Sequence, residues 1–255
     1  MNIVVTVKQI PDPAVPGELN PDNTLKREGK LILDESDSYG VEMALQLADK
    51  AGGGDVILVS MAPNGEVSGL RTALAMGAAK AILVSDDALH GADALTTAKV
   101  LAKCVGRAGD VDLVITATEA TDGYTGTIPA QLGELLDWPS LTFTKEIVIA
   151  DGKAKVQRQT EAGYDEVEAP LPAVVSVTAG VVEPRYPSFK GIMAAKSKPV
   201  DQVTVADLGL ADDIAPNQKI VNVAAAPARE AGEKIEDDGE AYGRIVEFLD
   251  QLKVI

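Results

Sequence analysis

Residues 55–84 read DVILVSMAPNGEVSGLRTALAMGAAKAILV, and this stretch decides the fold. It begins and ends with continuous apolar runs of strand length. Between these runs, Val67, Leu70 and Leu74 recur at the spacing of one helical face, and Gly77 ends the pattern. A strand, a helix and a second strand in this order predict two parallel strands joined by a helical crossover.

The same alternation of apolar runs and amphipathic helices continues along the chain. Met1–Val7 and Val111–Thr116 are further apolar runs. Before the helix that contains Val41, Asp37 or Ser38 can act as the N-cap. Strands that are apolar throughout predict an α/β fold, with a mostly parallel sheet and helices on both faces. This is the Rossmann-like topology of adenine-nucleotide-binding domains.

The pattern after Pro139 is that of antiparallel strands. Asp151-Gly152 separates the strand-like runs at 142–149 and 153–159, and this dipeptide is a hairpin signal. We therefore predict an antiparallel extension of the sheet. The whole pattern predicts three regions: an α/β domain at 1–182, an exposed connection at 183–199 and a C-terminal arm at 200–255.

The predicted arm ends in an amphipathic helix. Ala241, Ile245, Phe248, Leu249 and Leu252 share one face of it. Such an arm could fold back on its own domain or wrap a partner, and the residues alone favour neither.

The composition limits the classes of partner. The 255 residues carry a net charge of −16, from 23 basic and 39 acidic side chains. Nucleic acids and anionic membranes are polyanions, so this acidity disfavours both. No apolar run reaches the roughly 18 residues of a membrane span, and no targeting segment is seen, so a cytoplasmic location without membrane insertion is expected. A single cysteine, Cys104, excludes an internal disulfide.

Residues 183–199 form a cationic, apolar segment in this acidic chain. Pro184 and Pro187 lack an amide donor, so a sheet ladder cannot continue through them and an exposed connection is expected. Aromatic, Met and Arg side chains are enriched at interfaces, so one interpretation is a docking site. The alternative is a connection whose apolar residues pack on their own domain. The side chains in question are Arg185, Tyr186, Phe189, Lys190, Ile192, Met193, Lys196 and Lys198.

The loop at residues 120–128 follows the fourth predicted strand. Ligands of open parallel sheets bind beyond the carboxyl ends of strands. Glycines allow close backbone approach, and the amides at the start of the next helix suit a phosphate. We therefore predict a phosphate site here, against the alternative of a loop that binds nothing. The residues concerned are Asp122, Gly123, Tyr124, Thr125, Gly126, Thr127 and Ile128.

Several short strings, in a defined order, carry a family resemblance. They are Val5–Asp12, Leu70–Ala78, Leu136–Pro139, Leu171–Val175, Glu183-Pro184-Arg185-Tyr186 and Ile192-Met193-x-Ala195-Lys196. The last two resemble the signature of the electron transfer flavoprotein β subunit. The similarity covers nearly the whole chain.

The resemblance implies an electron carrier rather than an enzyme. In this family FAD resides mainly in an α subunit, and the β subunit covers one side of it. The heterodimer carries electrons from acyl-CoA dehydrogenases of fatty acid β-oxidation to a membrane quinone oxidoreductase. The flavin supplies the redox chemistry, so no residue here needs to be an acid, base or nucleophile. The arm at 200–255 is implied to wrap the α subunit.

The resemblance also implies site residues. Residues 183–199 become the partner-recognition loop, with Phe189 in the place of the family's apolar anchor. The implied recognition residues are Arg185, Tyr186, Phe189, Ile192, Met193 and Lys196. AMP is implied to bind within domain 1–182, at the loop 120–128. The other matching positions are Thr6, Asp34, Glu35, Ser36, Asp37 and Met61.

Other classes of function are weighed against this one. A flavin-bifurcating relative would bind a second FAD in place of AMP. A non-redox nucleotide-binding scaffold would share the fold without electron transfer. A stand-alone nucleotide hydrolase is disfavoured, because it needs a Gly/Ser-rich pyrophosphate loop where this chain has Lys8-Gln9-Ile10-Pro11-Asp12.

Overall fold

The computed structural model describes residues 1–224, 226–228, 231–232 and 234–255. These residues form two compact units, Met1–Val221 and Asn222–Ile255. The first unit is an α/β domain, as the alternating pattern predicts, and the second contains the C-terminal helix.

Strands and helices alternate through most of the first unit. The strands are β1 (Ile3–Thr6), β2 (Gln9–Ile10), β3 (Ile32–Leu33), β4 (Val56–Met61), β5 (Lys80–Val84), β6 (Leu113–Ala117), β7 (Ser140–Ala150), β8 (Lys153–Thr160), β9 (Gly163–Pro170), β10 (Ala173–Val177) and β11 (Val200–Val203). The helices are α1 (Glu35–Lys50), α2 (Ser68–Met76), α3 (Ala94–Ala108), α4 (Ile128–Leu136) and α5 (Phe189–Ala195), with α6 (Ala241–Gln251) in the second unit.

One large sheet organises the first unit. Among the described residues it has nine strands, in the order β11-β5-β4-β1-β6-β10-β7-β8-β9. Neighbours from β11 to β7 are parallel, whereas β8 is antiparallel to both β7 and β9. This confirms the mostly parallel sheet and its antiparallel extension. Because β4, β1 and β6 are neighbours, their carboxyl ends meet at one edge.

Helices cover both faces of the parallel strands. In β1, Ile3 and Val5 pack into one core with side chains of α1 and α2. Val4 points the other way, into a second core with side chains of α3 and α4. Successive side chains of a strand alternate between faces, so burial of both faces requires a continuous apolar run.

The predicted hairpin is confirmed at Asp151-Gly152. Both residues have positive φ, +52° and +71°. Two left-handed residues form the tight turn whose twist matches that of the flanking strands. The register Ala150↔Lys153 follows directly from this two-residue turn.

The predicted cap of α1 is wrong. Asp34, rather than Asp37 or Ser38, is the N-cap, and its Oδ1 accepts a hydrogen bond of 3.0 Å from the Ser36 amide. The helix therefore begins at Glu35, earlier than predicted. Asp37 does not cap because its carboxylate accepts from the Lys8 amide at 2.5 Å instead.

Two elements lie where the pattern predicts only a connection and an arm. Residues 183–199 contain the short helix α5, which Ser188 caps by accepting from the Gly191 amide at 3.0 Å. Strand β11 pairs with β5 at the edge of the sheet, with Val200 opposite Ala81. The first unit consequently extends to Val221, beyond the predicted start of the arm at residue 200.

The second unit ends in the helix that the amphipathic pattern predicts. The large apolar side chains Tyr242, Ile245 and Phe248 of α6 are exposed. In the described part of the chain, no helix combines the length and apolarity that a membrane crossing requires.

Candidate functional site

The residues predicted to bind nucleotide lie around the carboxyl ends of three neighbouring strands. We call this group the strand-end site; it comprises Thr6, Met61 and residues 34–37 and 118–128. Thr6 ends β1 and pairs with Val59, two residues before Met61. The backbone topology therefore brings together positions that are far apart in the sequence.

Asp34 joins two parts of the strand-end site. Its side chain is fully buried. Its Oδ2 accepts hydrogen bonds from the Thr121 amide at 2.7 Å and the Thr121 hydroxyl at 3.0 Å. Together with the cap of α1, these bonds occupy both carboxylate oxygens. Asp34 thus holds the loop after β6 against the start of α1.

Asp37 is also turned inward. It is buried, and its Oδ2 accepts from the Lys8 amide at the end of β1. Burial raises the pKa of Asp37 well above its usual range, although the hydrogen bond from Lys8 opposes this. Its neighbour Glu35 is exposed and Ser36 is half-buried. Of these acidic residues, only Glu35 directs its side chain to solvent.

Two cations converge on Asp122. Its carboxylate accepts from Lys8 Nζ at 2.7 Å and from the Arg27 guanidinium. Burial disfavours the charged form, but Lys8 and Arg27 outweigh this and lower the pKa of Asp122. The three side chains sum to a charge of +1 beside the loop 120–128. Sequence reasoning missed Arg27, because nothing in the polar residues 11–30 points to a partner 95 positions away.

The start of α4 offers backbone donors. Within the described part of the chain, its N-cap Thr127 makes no side-chain bond to the helix. The first-turn amides of Ile128 and Ala130 therefore keep their donor capacity, whereas Pro129 has none. Gly126 turns the chain here with a φ of +67°. Free amides at a helix N-terminus fit a phosphate group.

Two buried polar atoms beside this region have no hydrogen-bond partner in the described residues. They are the Ser60 hydroxyl, directly before Met61, and Oε1 of Gln131, in the first turn of α4. Buried polar groups are nearly always paired, so an unpaired one points to a missing partner.

An open cleft of about 620 Å³ adjoins the strand-end site. Ser36, Thr118 and Glu119 form one wall, and the antiparallel extension forms another. Glu119 also approaches Gly126, where an added Cβ would lie 3.3 Å from its Oε2. A side chain at residue 126 would therefore crowd the start of α4.

The apolar side chains of residues 183–199, which we call the signature segment, point outward. Tyr186 is 93% exposed, Phe189 80%, Met193 50% and Ile192 46%. Phe189, in the exposed connection expected at residues 183–199, points outward. Its ring lies at the first residue of α5.

The basic side chains of the signature segment divide into two kinds. Lys190 and Lys196 are exposed. Arg185 and Lys198 also bind groups of the domain itself, and 41% of the Arg185 side chain stays exposed. Arg185 Nε donates to the buried Glu42 carboxylate at 2.6 Å. Only the tertiary structure brings this acceptor to Arg185, because Glu42 lies in α1.

Comparisons with known proteins identify the family of this chain. Residues 22–208 match the family model of the electron transfer flavoprotein domain. The chain is 40% identical over 264 residues to the electron transfer flavoprotein subunit beta of Mycobacterium tuberculosis, covering 100% of this chain and 99% of the relative. It is 35% identical over 265 residues, 100% of both chains, to the caffeyl-CoA reductase-Etf complex subunit CarD of Acetobacterium woodii.

A further relative is more distant. The electron transfer flavoprotein subunit beta of Bacillus subtilis is 33% identical over 224 residues, which cover 87% of this chain and 86% of the relative. The two matches that cover the whole chain include the sheet, the strand-end site and the signature segment. The chain therefore belongs to the electron transfer flavoprotein β-subunit family.

Proposed function

We propose that this chain is the β subunit of a heterodimer that carries electrons from acyl-CoA dehydrogenases and other dehydrogenases to a membrane quinone oxidoreductase. Membership of the family implies electron transfer, association with a flavin and an α-subunit partner. FAD would be held mainly by the α subunit, and it would supply the redox chemistry. This chain would cover one side of the flavin and present a docking surface.

The strand-end site would hold a structural AMP. The observation that carries this proposal is the free amides at the start of α4. The amides of Ile128 and Ala130 would receive the phosphate. Thr6, Met61 and residues 34–37 would surround the nucleoside, with Asp34 and Asp37 acting by positioning the backbone.

The signature segment would dock the dehydrogenase. A large apolar ring that is exposed on a short, capped helix is a suitable anchor, because it loses little freedom on binding. Phe189 has this position. Lys190 and Lys196 would attract an acidic partner surface.

The second unit would cover the α subunit. The exposed apolar side chains of α6 favour association with another surface. We therefore expect the chain expressed alone to aggregate or to lack flavin. A soluble monomer that binds FAD stoichiometrically without a second subunit would contradict this proposal.

A second candidate is a flavin-bifurcating carrier with FAD in place of AMP. The similarity of this chain to a subunit of a caffeyl-CoA reductase-Etf complex supports this second candidate. The positive charge at Lys8 and Arg27 would also suit a diphosphate. Nucleotide extracted from the purified heterodimer separates the two: one FAD with one AMP supports the first, and two FAD supports the second.

The strand-end site is tested by Gly126→Leu in the co-expressed heterodimer. A side chain at residue 126 meets Glu119 and strains a left-handed residue, so the amides of α4 lose their geometry. We expect bound nucleotide to fall at least about tenfold, the equivalent of one lost charge-assisted hydrogen bond. Chromatography of the extracted nucleotide measures this loss.

Gly109→Leu is the matched control. Gly109 also has positive φ, and nothing lies within 4 Å of its added Cβ. With φ +104° and ψ −145°, Gly109 strains a side chain at least as much as Gly126 does, so this variant should lose stability and keep its full nucleotide content. Full occupancy in Gly126→Leu would place the phosphate elsewhere.

A further inference from the structure

We propose that Arg71 and Lys198 are positioning residues that fix the orientation of α5 and thereby present Phe189 to the partner. This inference rests on the docking role proposed for the signature segment. Arg71 lies in α2 and binds backbone carbonyls of the signature segment. Lys198 lies in the signature segment and binds backbone carbonyls at the end of α2. The result is a reciprocal clamp between α2 and the signature segment.

Arg71 forms one half of the clamp. It projects from α2, and its Nη1 donates to the carbonyls of Ala195 at 2.6 Å and Lys198 at 2.8 Å. Ala195 is the last residue of α5, so these bonds fix the C-terminal end of that helix. Bonds from a guanidinium are charge-assisted and therefore stronger than neutral ones.

Lys198 forms the other half. Its Nζ donates to the carbonyls of Leu74 at 2.9 Å and Ala78 at 2.6 Å, at the C-terminal end of α2. A cation is favourable there, because the carbonyls of a last helical turn carry a partial negative charge. Partial burial of its ammonium lowers the pKa of Lys198.

Gly191 brings the two helices into close contact. A Cβ added at Gly191 would lie 2.4 Å from the Ala75 carbonyl oxygen. This separation leaves no room for a side chain, so α5 rests directly on the backbone of α2. The face opposite this contact is free, and the exposed side chains of α5 occupy it.

The short length of α5 makes the clamp necessary. It has seven residues, fewer than an isolated helix needs for stability in water. Its orientation must therefore come from tertiary contacts, and Arg71, Lys198 and Gly191 supply them. Phe189 itself is 80% exposed and contributes little to holding the helix. Holding the helix and binding the partner are thus assigned to different residues.

A double-mutant cycle in the purified heterodimer tests this inference. The variants are Arg71→Ala, Phe189→Ala and both together, and the measurement is KM and kcat for the heterodimer with an acyl-CoA dehydrogenase. We expect Arg71→Ala to raise KM about fivefold at unchanged kcat, a coupling within the range found for residues that act together. In the Phe189→Ala background, Arg71→Ala should have no further effect.

A second readout needs no partner. Lys190 and Lys196 are exposed, and loosening of α5 should make the chain more susceptible to trypsin at these residues. We expect faster cleavage there in Arg71→Ala and in Lys198→Met, and partial restoration in Arg71→Lys. Arg107→Ala is the control, because Arg107 pairs with Asp201 outside the signature segment at 2.8 Å.

The outcomes separate the two proposals. Additive effects of Arg71→Ala and Phe189→Ala on KM would overturn the positioning role. Unchanged trypsin cleavage together with unchanged KM in Arg71→Ala would overturn it as well. In both cases docking through Phe189 would stand. If Phe189→Ala alone leaves KM unchanged, the docking function fails and the positioning role falls with it. Should Arg71→Ala not fold, Lys198→Met replaces it in the same cycle and is judged by the same criteria.

Discussion

In both the strand-end site and the signature segment, charged side chains bind other groups of the domain. The two regions differ in the groups that they leave unpaired or exposed. In both, charged side chains hold the local structure: Asp34 binds Thr121, and Arg185 binds Glu42. At the strand-end site, the groups left unpaired are mainly the backbone amides at the start of α4. The exposed side chains of the signature segment are the apolar ones together with Lys190 and Lys196. A charged residue in a functional segment is therefore not by itself a binding group.

Helix α1 connects the two regions. Its N-cap Asp34 fixes the loop after β6, and its buried Glu42 fixes the start of the signature segment. Both acidic groups lie in the interior, where an unpaired charge would be costly. Substitutions at these two positions can therefore separate structural roles from binding roles.

The largest effect is expected from Asp34→Ala. It removes the cap of α1 and both bonds to Thr121. We expect a loss of about 3 kcal/mol in the free energy of unfolding, from a lost cap and lost bonds to a buried charge. Nucleotide content should also fall, because the loop 118–128 loses its attachment. Chemical denaturation and nucleotide extraction of the heterodimer measure the two effects.

Asp93→Ala is the control for this prediction. Asp93 caps α3 and accepts from the Thr96 amide at 2.8 Å, outside the strand-end site. It should lower stability while nucleotide content stays complete. Equal nucleotide loss in both variants would show that Asp34 has no specific role at the site.

A smaller effect is expected from Phe189→Ala. Loss of a preorganised apolar anchor should weaken dehydrogenase docking by about 2 kcal/mol, the lower bound for an interface hot spot. The melting temperature should not change, because the ring is 80% exposed. Steady-state electron transfer and thermal unfolding, measured on one preparation, test both statements.

Leu135→Ala is the matched control for lost apolar surface. Leu135 is 41% exposed on α4. Its removal should leave transfer unchanged. A lowered melting temperature with normal transfer in Phe189→Ala would mean that the ring has a packing role.

The smallest effect concerns the pH dependence of the Glu42–Arg185 pair. Burial disfavours the charged form of Glu42, but hydrogen bonds from Arg185 and Gln46 prevail and its pKa is lowered. Since the folded pKa lies below the ordinary value, the stabilisation is complete above that value of 4.5 and is lost as pH falls through the lowered pKa. We expect Glu42→Gln to cost about 1 kcal/mol at pH 7.

The difference between wild type and Glu42→Gln should shrink as the pH falls. Denaturation curves between pH 7 and about pH 3 cover the range in which carboxylates titrate. Because both proteins share every other carboxylate, the difference isolates Glu42. A difference that stays constant over this range would show that the charge of Glu42 contributes nothing.

Residues 55–84 show what sequence alone determines in this chain. The apolar runs and the spacing of Val67, Leu70 and Leu74 are local, so they predict β4, α2 and β5 without knowledge of the remaining chain. The turn at Asp151-Gly152 is local for the same reason. The strings at 183–186 and 192–196 also identify the family directly.

Tertiary structure alone decided which charged groups are free. Arg185 and Glu42 are 143 residues apart, and Asp34 and Thr121 are 87 apart. No periodicity links such positions, because a hydrogen bond depends on distance in space and not on spacing along the chain. Strand β11 was missed for a related reason: its partner β5 lies far away along the chain and meets it only in the folded sheet. Sequence therefore determined most of the strands and helices and the family, whereas folding determined the remaining elements, such as α5 and β11, and which side chains hold the structure.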